Sequence, residues 1–144
     1  MSLINRQGSK VAPTSAPPEL NRRRVWLSCG YLLVLTVLTF ALWPMVSERA
    51  MMIPHFDKIL HAISFLVLML WFSGLMPQHH YFRLFLVLLI YGGLIEVLQY
   101  FTPYRHMEFT DFAADGIGLV AGWLLALAGM GNWCVWVENR FKLS

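Results

Sequence analysis

The sequence predicts an all-α membrane protein, with four transmembrane helices in an antiparallel bundle behind a disordered N-terminal tail. Three observations lead there. Apolar residues make up 58% of the chain, above the roughly 45–50% of soluble domains. Charged residues supply 13%, about half the usual share. The apolar residues also fall into four runs, each near the ~20 residues that cross the hydrocarbon. A single soluble domain of 144 residues with this composition would leave too much apolar surface in water.

The tail, residues 1–24, is rich in Ser, Pro, Asn and Gln and has few apolar anchors, so it cannot bury enough surface to fold. The first run covers about 25–46. Arg22, Arg23 and Arg24 abut it, with Arg6 and Lys10 further out, which predicts a cytoplasmic N-terminus. This run exceeds the roughly 7–15 apolar residues of a cleaved signal, and no small-x-small site follows. Trp43 and Pro44 read as an interfacial stop, so the helix is expected to be retained.

The second run covers about 59–76, the third about 82–101 and the fourth about 114–137. Their connectors are short and contain Pro. Residues 138–144 are expected as a cytoplasmic tail, where Arg140 and Lys142 agree with the orientation set by the N-terminus. Trp26, Trp43, Trp133, Trp136, Tyr81 and Tyr104 fall near run ends and read as an aromatic belt. Cys29 and Cys134 fall near inner ends, where a disulfide is not expected. The net charge of +3 comes from basic residues placed mostly before the first run. The expected partner is therefore the bilayer, with no nucleic acid.

Against this apolar background, Asp57, Lys58, His61, Glu96, Gln99, Arg105, Asp111 and Asp115 stand out. An ionisable group at the bilayer centre costs about 3 to 17 kcal/mol, so such residues are functional candidates. Threading four crossings brings all eight to one end. Asp57, Lys58 and His61 begin the second helix, Glu96 and Gln99 end the third, and Asp115 begins the fourth. Asp57 and His61 are four apart and share a helix face, as do Asp111 and Asp115. Gly92 and Gly93 lie one turn below Glu96, and Gly118 and Gly122 form a GxxxG step below Asp115. Such small residues let helices approach closely in lipid.

Several chemistries fit this inventory. A headgroup site is expected as a pocket at the outer leaflet, between the Asp57–His61 helix and the Glu96–Gln99 helix. It would use Lys58 and Arg105 on phosphate or carboxylate, with Glu96, Gln99 and the aspartates accepting hydroxyl or amide hydrogens. An enzyme would use His61, oriented by Asp57, as a base and Glu96 as acid or base. Ser64, near His61, reads as a packing hydroxyl, and no nucleophile motif is present. A purely structural ion network, or a proton relay, draws on the same residues. Oxygen-rich ligation by His61, Glu96, Asp111 and Asp115 would favour Mg²⁺, Mn²⁺ or Ca²⁺. One His among scattered carboxylates is not a metal signature, so no metal is expected. The sequence implies no cofactor and fixes no oligomeric state.

The ordered set Asp57-Lys58-x-x-His61, Gly92-x-x-x-Glu96-x-x-Gln99, Arg105, Asp111-x-x-x-Asp115-x-x-Gly118-x-x-x-Gly122 resembles the VanZ-like family over about residues 54–123. The resemblance implies a small multi-helix bacterial protein of the cytoplasmic membrane, of a family named for a member that gives teicoplanin resistance. It implies a role in envelope homeostasis or glycopeptide resistance, on a lipid or lipid-linked headgroup. One departure is Asp115, where many members carry Asn, which adds a negative charge.

Overall fold

The computed structural model describes residues 20–43, 55–103 and 108–141. Residues 1–19 of the expected tail, residues 44–54 and 104–107 of two connectors, and residues 142–144 lie outside them. The described residues form α1 (Arg23–Leu42), α2 (Phe56–Ser73), α3 (Tyr81–Tyr100), α4 (Phe109–Leu127) and a short α5 (Trp133–Phe141). The first four are long and apolar enough to cross a membrane, α3 together with the turn before it. Their 18–20 residues span about 27–30 Å at 1.5 Å per residue, the thickness of the hydrocarbon. The chain is a multi-pass membrane protein, and Leu32, Leu35, Ile90, Leu94, Ile117 and Leu124 stand exposed on its lipid-facing surface.

Several helix boundaries differ from the sequence expectation. Both α2 and α4 start before their apolar runs, because Asp57 and Asp111 sit in first turns and both meet the Lys58 ammonium, Asp57 from the same helix and Asp111 from across the α2–α4 contact. A carboxylate there also meets the positive end of the helix dipole. The expected fourth span, 114–137, is broken at Gly129, whose φ of 119° is left-handed. Only glycine takes that conformation without a side-chain penalty. The chain turns through Met130–Asn132 and restarts as α5, so part of the expected tail is helical.

The closest helix pair is α2 with α4. At Gly118 a Cβ would collide with the Ala62 carbonyl of α2, and at Gly122 one would lie 2.8 Å from the Leu66 carbonyl oxygen. Residue numbers rise together along this contact, so the two helices run parallel. Their N-termini consequently share one end of the bundle. Against this pair α3 runs antiparallel, with Tyr81 donating to the Ser73 carbonyl at 3.2 Å and Gly92 beside Phe65 and Asp115. Phe65, Leu68, Met69, Leu88, Ile95 and Leu119 form the core between them.

Packing is looser around α1, which buries only Gly30, against Trp71 and Phe72. Polar bonds hold it in place. Tyr91 donates to the Val34 carbonyl at 2.7 Å and Gln99 Nε2 to the Ala41 carbonyl at 3.0 Å. At the opposite end α5 clasps α1. The buried Glu138 carboxylate accepts from the Asn21 amide at 2.8 Å, the Arg22 amide at 3.0 Å and the Trp26 indole at 2.8 Å. Trp26 and Trp133, expected as belt residues, pack on each other and on Trp71 with centroids 5.0–5.9 Å apart. Cys29 and Cys134 are free.

Gly118→Ala should destabilise the protein in detergent by about 1–3 kcal/mol, because its methyl meets backbone that cannot yield. Gly116→Ala, whose Cβ comes no nearer than 4.0 Å to Leu89, should be close to neutral. Chemical unfolding of the two variants checks the contrast. Glu138 makes a pH test of the clasp. Burial would raise its carboxyl, but the bonds from Arg22, Trp26 and Asn21 outweigh that and hold it below the usual carboxylate range. A depressed folded value means that its contribution is complete above the unfolded pKa of about 4.3 and is lost as pH falls through the folded one. Tryptophan emission should shift in that acid window, and Glu138→Gln should remove the shift.

Candidate functional site

The parallel pairing of α2 and α4 sets their first turns side by side, which places Lys58 among carboxylates. Its ammonium lies 2.8 Å from Glu108 Oε2, 2.9 Å from Asp111 Oδ1 and 3.2 Å from Asp57 Oδ2. Three carboxylates therefore ring the cation that the sequence offers as an anion holder. Lys58 and Asp57 are partly exposed and Glu108 is half exposed, whereas Asp111 is buried. The ammonium holds the Glu108 carboxyl below its ordinary range. Glu108 was no candidate from sequence, where it reads as a loop charge. The usable signal is its i,i+3 spacing from Asp111 at a helix start.

One turn deeper lies a second, drier group. His61 Nδ1 is 2.8 Å from Asp115 Oδ1, and its Nε2 is 4.0 Å from Asp111 Oδ2. The sequence orients His61 with Asp57, but Asp57 turns to Lys58 and the partner of His61 is Asp115. Spacing along one helix shows which residues share a face, and the neighbouring helix decides which of them it meets. Glu96 comes from α3, and its Oε2 accepts from the Glu108 amide at 3.1 Å, tying α3 to the start of α4. His61, Glu96 and Asp115 are buried, with exposures of 8%, 1% and 0%. One ligand atom from each lies within 4.8 Å of the other two.

Seven of the eight sequence candidates thus fall at one end, six of them in these two groups. Gln99 is buried there too, but its amide nitrogen points to the Ala41 carbonyl of α1. Arg105 lies outside the described residues. Gly118 and Gly122 lie at the α2–α4 contact, and Gly92 admits Asp115, whose Oδ2 would be 2.6 Å from a Cβ there. Gly93 is less constrained, since a Cβ would meet Phe112 at 3.6 Å.

A cavity of about 520 Å³ opens beside the cluster. It runs between α1 and α2 with Ile95 of α3 at its back, not between α2 and α3 as the placement of the polar residues suggests. Asp57, His61 and Ser64 follow one another down its α2 wall, and Leu33, Val37 and Phe40 of α1 make much of the rest. Ser64, taken from sequence as a packing hydroxyl, lines this space. From Asp57 to Ser64 the wall descends about 10 Å.

Lys58→Met would leave three carboxylates facing one another without their cation. It should lower stability by about 1–3 kcal/mol. Glu108→Gln removes only a half-exposed partner and should cost less than about 1 kcal/mol. Thermal unfolding of both purified variants checks the order.

A sequence profile of the VanZ/LLP1 family matches residues 13–131. The match takes in α1 as well as the motif-bearing stretch. Comparisons with curated proteins and with solved structures give no match. Covering most of the chain, the profile shows that this four-span membrane protein belongs to the VanZ/LLP1 family.

Proposed function

We propose that the protein binds an amphipathic envelope molecule at the outer leaflet of a bacterial cytoplasmic membrane, and acts in envelope homeostasis or teicoplanin-type glycopeptide resistance. The observation that carries this reading is the cavity between α1 and α2, apolar over most of its wall with Asp57, His61 and Ser64 along one side. An acyl or isoprenoid chain suits the apolar wall, and a polar head suits the end marked by Asp57 and His61. Ligand sites of this kind are mostly apolar, with a few polar groups that fix orientation. Because carboxylates already ring Lys58, the preferred head carries hydroxyl or amine donors. The N-terminal arginines support an outer placement of this end, with both termini cytoplasmic. The loosely packed α1 is the natural side of entry from the bilayer.

A structural role for the polar end is the second reading, favoured by the complete engagement of Lys58. The two separate on Ser64→Phe, which fills the cavity without touching Lys58. The proposal expects wild-type protein to retain lipid through purification, detected by native mass spectrometry, and to raise the inhibitory concentration of teicoplanin in a sensitive host. Ser64→Phe should fold, keep its tryptophan emission and lose both properties. Unchanged lipid retention and resistance in that variant would leave only the structural role.

A further inference from the structure

We propose that His61, Glu96 and Asp115 form a buried divalent-cation site of the Mn²⁺ type. The three side chains come from α2, α3 and α4, and one ligand atom from each lies within 4.8 Å of the others. His61 Nδ1 and Asp115 Oδ1 are 2.8 Å apart. Two neighbouring ligands bound at about 2.1 Å to one cation lie roughly 3 Å from each other. The same short contact therefore serves a hydrogen bond or a shared ion.

The observation that points beyond an acidic cluster is polar satisfaction. Glu96 is 1% exposed and Asp115 is not exposed at all. Yet Glu96 Oε1 and Asp115 Oδ2 meet no hydrogen-bond partner among the described residues. Buried polar atoms in folded proteins nearly always have a partner. Charge gives the same answer. Two carboxylates face one imidazole here, while the neighbouring ammonium of Lys58 is engaged by Asp57, Glu108 and Asp111. Among the described residues the outer acid group already has its cation and the inner group has no Lys or Arg, so the inner group is the one that a metal completes. Imidazole suits transition metals and carboxylates suit Mg²⁺, Ca²⁺ and Mn²⁺, so a mixed set favours Mn²⁺. His61 also lines the cavity, which gives the ion a path of entry.

This inference does not depend on lipid binding, and its test reads the metal alone. Full-length protein in nanodiscs is stripped with chelator and titrated with Mn²⁺ by electron paramagnetic resonance. The expected result is about one Mn²⁺ per chain with nitrogen hyperfine coupling, as a site with an imidazole ligand requires. The coupling should vanish in His61→Gln. Glu96→Gln and Asp115→Asn should each weaken binding at least about tenfold, and Glu108→Gln, in the outer group, should leave it unchanged. Equal affinity in Glu96→Gln and wild type overturns the proposal. So does bound Mn²⁺ without nitrogen coupling in the wild-type chain, a result that stands even if no variant accumulates.

Discussion

The close parallel contact of α2 with α4 is the constraint on which the rest depends. Gly118 against the Ala62 carbonyl sets both the distance and the register of the pair. With that register, Lys58 meets Asp111 and His61 meets Asp115. A shift by one residue on either helix would turn these side chains by about 100° and separate them. Lipid offers no hydrophobic force to bring helices together, so backbone-level packing at small residues has to do it. The glycines therefore position the polar chemistry as well as closing the bundle.

Parallel pairing also explains how so many carboxylates gather at a membrane end. It places two helix N-termini together, each with the positive end of its dipole toward Asp57 or Asp111. Lys58 supplies a full charge between them. Neither source reaches Glu96 so well, because Glu96 lies in the last turns of α3, at the negative end of that helix. The amide of Glu108 answers one of its oxygens. Charge compensation therefore falls off with depth, from the ringed ammonium to the dry His61–Glu96–Asp115 group.

Much of this was legible in the sequence, and for identifiable reasons. Apolar run lengths carry the four spans, because bilayer thickness fixes them. The common depth of Asp57, His61, Glu96 and Asp115 follows from threading alone. What the sequence does not carry is azimuth, the direction in which each helix turns its face. That is why the sequence pairs His61 with Asp57 on its own helix and points to a cavity between α2 and α3. The Glu138 clasp was missed for a related reason. A single acid beyond a fading apolar run looks like tail, and only the turn at Gly129 brings it back to α1. Arg105 lies outside the described residues, so its place in the cluster rests on the motif.

The two polar groups differ in a way that bears on function. In the outer group every acid contacts the ammonium, and only removal of Lys58 would strand the others. Such completeness is what a fixed helix arrangement needs, and it leaves little capacity for a ligand. Among the described residues, the inner group retains two uncommitted carboxylate oxygens on helices already locked in place. Unspent hydrogen-bonding capacity on a rigid frame is what a binding site requires, since its cost is met by the surrounding fold before any ligand arrives. His61 belongs to the inner group and to the cavity wall at once. Anything that changes the charge of the inner group is therefore felt directly by a molecule lodged between α1 and α2.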